Sequence, residues 1–335
     1  MRIGLSCDLK EAVALAQDDP EDALEEYDCP ATIAYITAAL EAKGHSVVNL
    51  GGGPEFMDKI RRERVDIVFN IAEGRGNYRS REAQVPSILE MLDIPYTGSD
   101  PQCLAVCLDK AIAKKLAAAE GINTPKWLAI ADSDELGKVS WDGLRFPTII
   151  KPAYEGSSKG IRLDSVVATP QEIARTVPKL LKYYQQPVIV EEFIDGDEVT
   201  VGIIGNAPPE ILGIMRILPR KKDGHFIYSL EVKRDYVKLV DYECPARLEK
   251  RAMDEIASAS LKVFKTLGCR DFARLDFRLS PEGRAYFLEI NPLPGLGDYS
   301  DLVIMAQKMG WTHQALIGAV LDAALERYPQ CVKAA

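Results

Sequence analysis

Residues 272–294 read FARLDFRLSPEGRAYFLEINPLP, and this stretch decides the fold class. Apolar and polar residues alternate over 272–279 and again over 285–291, and a turn-forming Ser-Pro-Glu-Gly lies between them. This pattern predicts two short strands joined as a hairpin. A loop over residues 281–284 would pair Ser280 with Ala285.

The alternation places polar side chains on one face of the predicted hairpin. Asp276 falls opposite Glu289, and Arg274 falls opposite Asn291. Carboxylate and amide oxygens are the ligands that Mg²⁺ prefers, and an arginine suits a phosphoryl group. The alternative is a solvated hairpin face, which the bulky apolar residues on the opposite face make less favourable.

Composition sets broad limits on structure and partners. The chain has 335 residues, of which 47% are hydrophobic and 27% charged, so we expect two or three domains with a sizeable core. The net charge of −9 argues against a nucleic-acid partner. No signal peptide or membrane-spanning run is recognisable, and seven cysteines without a CxxC pair fit a reducing cytoplasm. No zinc site is predicted, and Cys103 and Cys107, one helical turn apart, are expected to be buried thiols.

The first part of the chain alternates strands and helices. Strands are predicted at 2–6, 47–50 and 67–71, and helices at 32–43 and 55–63, which indicates a small parallel sheet. The acidic residues 10–28 are expected to form a solvated loop or a mobile cover. Residues 72–84, rich in Gly and Arg, are either an anion or carboxylate site or a plain surface loop.

Later motifs suggest a nucleotide site. A helix is predicted over 103–119, strands over 147–152 and 161–163, and a Gly- and Ser-rich turn between those strands. That turn either directs backbone N–H groups at phosphate beside Lys151 or is a loose hairpin loop. The strand 188–193 ends in Glu191 and Glu192, which could edge an adenine. Residues 215–245 resemble a basic flap, and helices are expected at 247–267 and 311–328, the second closing the fold.

In this order the motifs resemble the D-alanine–D-alanine ligase family of ATP-grasp enzymes. They are KPAYEGSSKG (151–160), VEEFIDGDEVTVG (190–202), EVK (231–233), ARLDF (273–277) and LEINPLPGL (288–296). The resemblance implies α/β and α+β architecture: an ATP-grasp fold preceded by an N-terminal parallel α/β domain (pre-ATP-grasp). The expected domains are residues 1–100, 101–187 and 188–335, the second and third gripping ATP.

The resemblance also implies roles for individual residues. For ATP it implies Lys110, Lys151, Glu155, Ser157, Glu191, Glu192, Ile194, Glu198 and Lys233. Asp276, Glu289 and Asn291 match ligands of two Mg²⁺ ions, with Mn²⁺ as an alternative. The catalytic positions are Arg274, Ser158, Gly295 and Lys233. Candidate substrate positions are Glu73, Arg79, Arg81, Arg234, Ser300 and Leu302.

Three positions depart from the family pattern. Glu73-Gly74 stands where His-Gly is usual, Arg234 replaces a flap tyrosine, and the acid that anchors the first amino group has no clean counterpart. Glu11, or an acid among residues 25–28, could take that last role. The added arginines predict an anion-seeking pocket and substrates other than two D-alanines.

The predicted activity is an ATP-dependent carboxylate–amine ligase that forms an amide or dipeptide through an acyl phosphate. The rivals are a small-molecule kinase with the same fold and a nucleotide-binding regulatory module. Within the ligase class, D-alanyl-D-alanine synthesis competes with joining other amino acids or an acidic partner. The expected partners are small-molecule amino acids or carboxylates, without nucleic acid or membrane, and the family suggests a homodimer.

Overall fold

The computed structural model describes residues 1–221 and 224–333. Its strands are β1 (Arg2–Cys7), β2 (Ser46–Asn49), β3 (Ile67–Ile71), β4 (Trp127–Ile130), β5 (Thr148–Pro152), β6 (Val166–Val167), β7 (Val188–Glu192), β8 (Asp197–Ile204), β9 (Glu210–Pro219), β10 (Val240–Glu243), β11 (Phe272–Leu279) and β12 (Ala285–Asn291). They form an N-terminal sheet β2-β1-β3, a central sheet β4-β7-β5-β6 and a C-terminal sheet β10-β9-β8-β11-β12.

Helices connect and cover these sheets. They are α1 (Pro30–Ala42), α2 (Pro54–Arg62), α3 (Gln84–Met91), α4 (Pro101–Leu108), α5 (Lys110–Ala119), α6 (Pro170–Tyr184), α7 (Leu230–Arg234), α8 (Tyr236–Leu239), α9 (Lys250–Thr266), α10 (Asp301–Lys308), α11 (His313–Arg327) and α12 (Pro329–Lys333). Single 3₁₀ turns span Lys10–Ala12, Arg81–Ala83 and Ser133–Glu135. None of the helices so described is long and apolar enough to cross a membrane.

The N-terminal sheet is parallel, as predicted. β1 pairs in parallel with both β2 and β3, and every residue of β3 is buried, as expected for a strand covered on both faces. Its core includes Leu5 and Phe69 together with Leu316 and Leu321 of α11. The last long helix therefore does close the fold, by packing on the first sheet.

The hairpin β11–β12 has the predicted bounds and the predicted faces. Arg274 pairs with Asn291 and Asp276 with Glu289. The predicted turn pairing was wrong by one residue, because Leu279 rather than Ser280 pairs with Ala285. A β-bulge at Leu288, which the ladder skips between Phe287 and Glu289, absorbs this difference.

The predicted helix 103–119 is two helices. Asp109 has an extended backbone (φ −80°, ψ 95°), and its carboxylate accepts hydrogen bonds from the N–H groups of Ala111 and Ile112 at 3.1 Å. An aspartate that caps a new helix competes with continuation of the previous one. The break sets the direction of α5 and places Lys110 at its first position.

Two further predictions were wrong in their secondary structure. Residues 161–163 form no strand; the backbone coils through Ser157, Ser158 and Gly160, all at positive φ, and the strand that pairs with β5 is β6. The flap, residues 215–245, is not one alternating segment. It contains part of β9, the helices α7 and α8 and the strand β10, and residues 222–223 within it lie outside the described residues.

Candidate active site

A cleft between the central and C-terminal sheets gathers most of the predicted nucleotide and metal residues. β5 and β7 supply one wall, and β8, β11 and β12 supply the other. The predicted residues that line it are Lys110, Lys151, Glu155, Ser158, Glu191, Glu192, Ile194, Glu198, Lys233, Arg274, Asp276 and Glu289. Side chains from six separate segments thus meet in one cavity, while their individual roles stay predictions.

The three predicted metal ligands lie together on the β11–β12 ribbon. Asp276 is directly across from Glu289, and the Asn291 amide donates a hydrogen bond to Asp276 Oδ2 at 3.2 Å. The Thr200 hydroxyl donates to Asp276 Oδ1 at 2.7 Å. A set of two carboxylates and one amide, held by these bonds, offers oxygen ligands to a hard cation.

Cations around Glu289 keep its carboxylate ionised. Lys110 Nζ lies 3.3 Å from Glu289 Oε2. Burial alone would raise the pKa of Glu289, but Lys110, Lys151 and Arg274 lower it to about 2. The acid can therefore accept a metal ion without first losing a proton.

Arg274 is fixed between two carboxylates at the centre of the site. Its guanidinium lies 2.8 Å from Asp276 and 3.8 Å from Asp301, the first residue of α10. Burial opposes its charge, but Asp276 and Asp301 raise the pKa of Arg274 above its ordinary value. Arg274 lines the nucleotide cleft and also both cavities beside it.

Lys151 is held in the cleft wall by a buried carboxylate. Glu191 contacts Lys151 at 2.6 Å and Lys114 at 3.0 Å. Burial opposes the charge of Lys151, but Glu191 and Glu289 raise its pKa. For Lys114 burial prevails over Glu191 and lowers the pKa to about 8. Lys151 therefore carries the firm positive charge, and the Glu191 carboxylate is engaged by both lysines.

The end of β7 and the start of β8 form the far end of the cleft. The Ile194 carbonyl accepts a hydrogen bond from Arg278 Nε at 2.8 Å, and Arg278 also contacts Glu198 at 2.9 Å. Glu192 points to the opposite face from Glu191, as strand alternation requires, and its carboxylate pairs with Arg145 at 2.9 Å. Its carboxylate is thus committed to Arg145, although the residue lines the cleft.

The loop after β5 and the flap meet over the cleft. The Ser158 hydroxyl donates to the Tyr228 carbonyl at 2.8 Å, and the Leu230 N–H donates to the Ile161 carbonyl at 3.1 Å. Lys233 Nζ lies 5.5 Å from the centre of the Tyr228 ring. The two segments thus cover the cleft, and Lys233 belongs to that cover.

A second set of cavities continues from Arg274 toward the N-terminal sheet. It is lined by the end of the ribbon, by the loop after β3 and by the flap. The predicted residues on its walls are Glu73, Ser157, Arg234, Asn291, Gly295 and Ser300. The cavity is continuous with the cleft through shared lining residues, so a molecule there would reach the predicted metal and phosphate positions.

The acidic segment 10–28 is only partly solvated, contrary to prediction. Asp18, Asp19 and Glu21 are exposed, but Asp22 is fully buried and receives a hydrogen bond from the Tyr184 hydroxyl at 2.8 Å. The Glu26 side chain is only 4% exposed. The sequence shows where the acidic residues are, but it does not show which residues pair with them, because those partners lie more than fifty residues away along the chain.

Those partners form a buried ion network. Arg81 contacts Glu26 at 2.7 Å and Glu155 at 3.4 Å, and Lys159 contacts Glu26 at 3.2 Å and also pairs with Glu155. Burial opposes ionisation of Glu26, but Arg81 and Lys159 lower its pKa to about 2. The network joins the acidic segment, the loop after β3 and the loop after β5.

Three predicted substrate contacts are not supported by their positions. Arg81 is neutralised within the buried network. The Arg79 side chain is 63% exposed and lies 4.0 Å from Asp109. Leu302 is fully buried in the hydrophobic core.

The pocket wall near the N-terminal sheet is acidic, whereas the added arginines predicted an anion-seeking pocket. Among residues 1–221 and 224–333, Glu73 forms no ion pair. Its burial and the negative charges of Glu82 and Glu26 raise its pKa above the ordinary value. Burial, partly offset by Arg81, raises the pKa of Glu82 to about 8. Arg234, the other predicted cation, already pairs with Glu25.

Several residues of the site carried no predicted role. Thr200 and Asp301 fix Asp276 and Arg274, Lys114 belongs to a buried ion pair, and Arg278 braces Glu198. Arg278 could have been found, because it follows Arg274 and Asp276 at the same two-residue spacing on β11. Lys114 could not, since only the tertiary fold brings its partner near. Glu26 was among the acids predicted as a possible anchor for an amino group, and in the structure it pairs with Arg81 and Lys159.

Comparison with known proteins identifies the family. The family model described as "D-ala D-ala ligase C-terminus" matches residues 116–322. The D-alanine–D-alanine ligase of Aquifex aeolicus is 34% identical over 286 residues, covering 85% of this chain and 92% of the relative. The enzyme of that name from Carboxydothermus hydrogenoformans is 31% identical over 298 residues, covering 87% and 91%.

A solved structure agrees in fold. The ATP complex of the D-alanine–D-alanine ligase from Bacillus anthracis covers 98% of this chain and 99% of its own, with a TM-score of 0.74 and 24% identity. The chain therefore belongs to the D-alanine–D-alanine ligase family and has the ATP-grasp fold.

Proposed function

We propose that the protein is an ATP-dependent ligase that joins a carboxylate to an amine. In this reaction the carboxylate attacks the terminal phosphate of ATP to give ADP and an acyl phosphate, and an amine then displaces phosphate to form the amide. The observation that carries the proposal is the position of Arg274. It lines the nucleotide cleft and both adjoining cavities, where phosphoryl transfer and amide formation would have to meet.

The cleft residues supply binding and charge rather than a nucleophile. Lys151 and Lys110 would bind phosphate oxygens, Glu198 would bind ribose hydroxyls, and the Ile194 segment would lie beside the base. Arg274 and Lys233 would stabilise the charge that develops on the transferred phosphoryl group. Ser157, Ser158 and the flap would keep water from the acyl phosphate, and the Gly295 backbone N–H would orient the reacting carboxylate.

The residues present fit Mg²⁺. Asp276 and Glu289 offer ionised carboxylates and Asn291 an amide, a hard oxygen set suited to Mg²⁺ or, alternatively, Mn²⁺. Asn291 would have to turn its amide oxygen toward the ion, because its amide nitrogen now faces Asp276. We propose two ions, which when bound would stabilise phosphate charge.

The second set of cavities is proposed to hold both substrates. An ammonium group against the acidic wall at Glu73 and Glu82 would favour ionisation of these carboxyls, whose pKa burial raises, and Arg274 and Lys233 on the opposite side suit a carboxylate. That polarity fits amino acids. The relatives are named for D-alanine, an amino acid that carries both of these charged groups.

The test is a phosphate-release screen of D- and L-amino acids, alone and in pairs, with mass spectrometry of the products. We expect phosphate release that depends on an amine and a product equal to the two substrates less water. The Arg274→Ala variant should lose at least about 10³-fold in rate, roughly 4 kcal/mol of transition-state stabilisation. A stable phosphorylated product without amine would instead identify a kinase, and intact ATP with every pair would identify a binding module.

Three further features belong to this proposal. The three sheets are taken as three domains, and we place the second boundary after Glu192 because β7 pairs within the central sheet. A homodimer is proposed, which light scattering would test. All seven cysteines are unpaired thiols in the structure, consistent with the proposed reducing cytoplasm.

A further inference from the structure

Three cysteine sulfurs meet in the core beneath the active site. Cys103 Sγ lies 3.8 Å from Cys107 Sγ and 3.5 Å from Cys269 Sγ. All three sulfur atoms fall within 4.8 Å of one another, and all three residues are buried. Cys103 and Cys107 face one side of α4, and Cys269 lies just before β11. Sequence spacing predicted no such group, because Cys269 is distant along the chain and follows no metal-binding pattern.

The separations match those of thiolates that share one metal ion. Two sulfurs at about 2.3 Å from a tetrahedral zinc ion lie about 3.8 Å apart. The observed Cys103–Cys107 separation has this value, and the Cys103–Cys269 separation is 0.3 Å shorter. Small changes in side-chain torsion would be enough to admit the ion.

The group has a route to solvent. Cys107 lines the cavity that holds Glu73, Glu82 and Asn291, so an ion could arrive through the substrate side of the site. The three cysteines belong to a core cluster that also contains Ala113, Ala273 and Leu275. Soft sulfur donors favour zinc-like ions over Mg²⁺.

We propose that Cys103, Cys107 and Cys269 form a binding site for one thiophilic divalent cation of the zinc group, separate from the magnesium ligands on the ribbon. Binding replaces three S–H bonds by three sulfur–metal bonds and releases up to three protons to solvent. A water molecule from the Cys107 cavity would supply the fourth ligand. The site ties α4 to the start of β11, the strand that carries Arg274 and Asp276.

Cadmium is the probe that tests this site, because its bonds to sulfur give an ultraviolet charge-transfer absorption that oxygen ligands do not. The reduced, chelator-treated full-length protein is titrated with Cd²⁺ in the presence of a non-thiol reductant. We expect saturation at one ion per chain, proton release on binding, and affinity that rises with pH. Zn²⁺ should displace Cd²⁺ and thereby remove the absorption.

Variants identify the ligands and control for folding. Cys103→Ala and Cys269→Ala should lose at least about tenfold in Cd²⁺ affinity, while Cys244→Ser, a half-buried thiol outside the group, should bind as the parent does. The ion should raise the thermal midpoint of the parent and not that of Cys269→Ala. Circular dichroism verifies that each variant is folded. Absence of the absorption in the parent, or its retention in both alanine variants, would show that the three thiols only fill the core.

Discussion

Glu289 shows how a buried acid can be kept ready for a metal ion. It lies among Lys110, Lys151 and Arg274, and these cations hold its pKa at about 2 against the opposing effect of burial. At neutral pH the carboxylate is therefore fully ionised. The same cations could contact phosphate oxygens once Glu289 turns to a metal ion.

At this scale we expect Glu289→Gln to raise the Mg²⁺ concentration needed for half-maximal activity by roughly 10- to 100-fold. The amide removes a charged ligand while keeping the shape of the side chain. The measurement is ATP turnover against Mg²⁺ concentration at saturating substrates. Glu282→Gln, in the exposed turn of the same hairpin, is the matched control, and coincident Mg²⁺ curves for the two variants would remove Glu289 from the ligand set.

Strand periodicity determined which site residues the sequence could place correctly. Arg274, Asp276, Glu289 and Asn291 lie where alternation placed them, since side-chain direction in a strand is a local property. Arg81 was predicted to contact substrate, but it lies in a buried ion network, because the partners of a buried arginine depend on which acids the fold brings near it. Its partners Glu26 and Glu155 lie far away in the sequence.

The flap, residues 215–245, is held over the cleft by contacts with two other segments. Arg234, at the end of α7, donates a hydrogen bond to Glu25 at 2.9 Å, and Ser158 binds the flap backbone at Tyr228. The acidic segment and the loop after β5 thus hold the flap from two sides. Arg234 takes part in closure, although the sequence suggested that it would bind a substrate anion.

We expect Arg234→Gln to weaken closure only moderately, because the side chain is 45% exposed and exposed ion pairs contribute about 0.2–1 kcal/mol. The predicted result is a two- to fivefold lower kcat/KM for the second substrate and more phosphate release without amine. The control is Arg220→Gln, which is 47% exposed and pairs with Asp241 outside the cleft. Equal effects of both changes would exclude a closing role.

Element boundaries were predicted well where local patterns were continuous. The bounds of β3, β11 and β12 agree to the residue. The predicted helix 103–119 is divided because Asp109 caps a new helix instead of continuing the first one. The apolar spacing is continuous across the segment and therefore does not indicate this break. No strand forms at 161–163, because positive φ angles at Ser157, Ser158 and Gly160 turn the backbone away from the sheet just before it.

Across the whole molecule, the network of Glu26, Arg81, Glu155 and Lys159 joins segments that the sequence places far apart. Its members are almost completely excluded from solvent, with side-chain exposures of 3–8%. Paired buried charges tolerate the loss of a partner poorly, because the remaining charge stays desolvated. The N-terminal and central parts of the protein are therefore coupled through it.

We expect Glu26→Gln to lower the free energy of unfolding at pH 7 by roughly 3 kcal/mol, since its pKa falls from 4.5 to about 2 on folding. A depressed carboxyl pKa stabilises the fold above the unfolded value and loses that effect as pH falls. The difference between parent and variant should thus shrink between about pH 5 and pH 2. Urea unfolding at several pH values measures it.

Glu21→Gln is the control for that experiment. Glu21 lies in the same acidic segment as Glu26, but it is 70% exposed and pairs with Arg162. Its replacement should therefore change stability little at any pH. A difference for Glu26→Gln that does not vary with pH would contradict the assigned origin of the effect. The sequence placed these acids correctly on one segment, but it could not show which of them the fold would bury.

The bulge at Leu288 has a consequence for engineering the hairpin. Because it separates the pairing near the tip from the pairing at Asp276 and Glu289, residues 281–284 could be exchanged for an epitope or a longer insert without rotating the acids. Deleting Leu288 alone would be far more disruptive than remodelling the entire tip. It would either shift the tip pairing by one position or turn Glu289 to the opposite side of the ribbon.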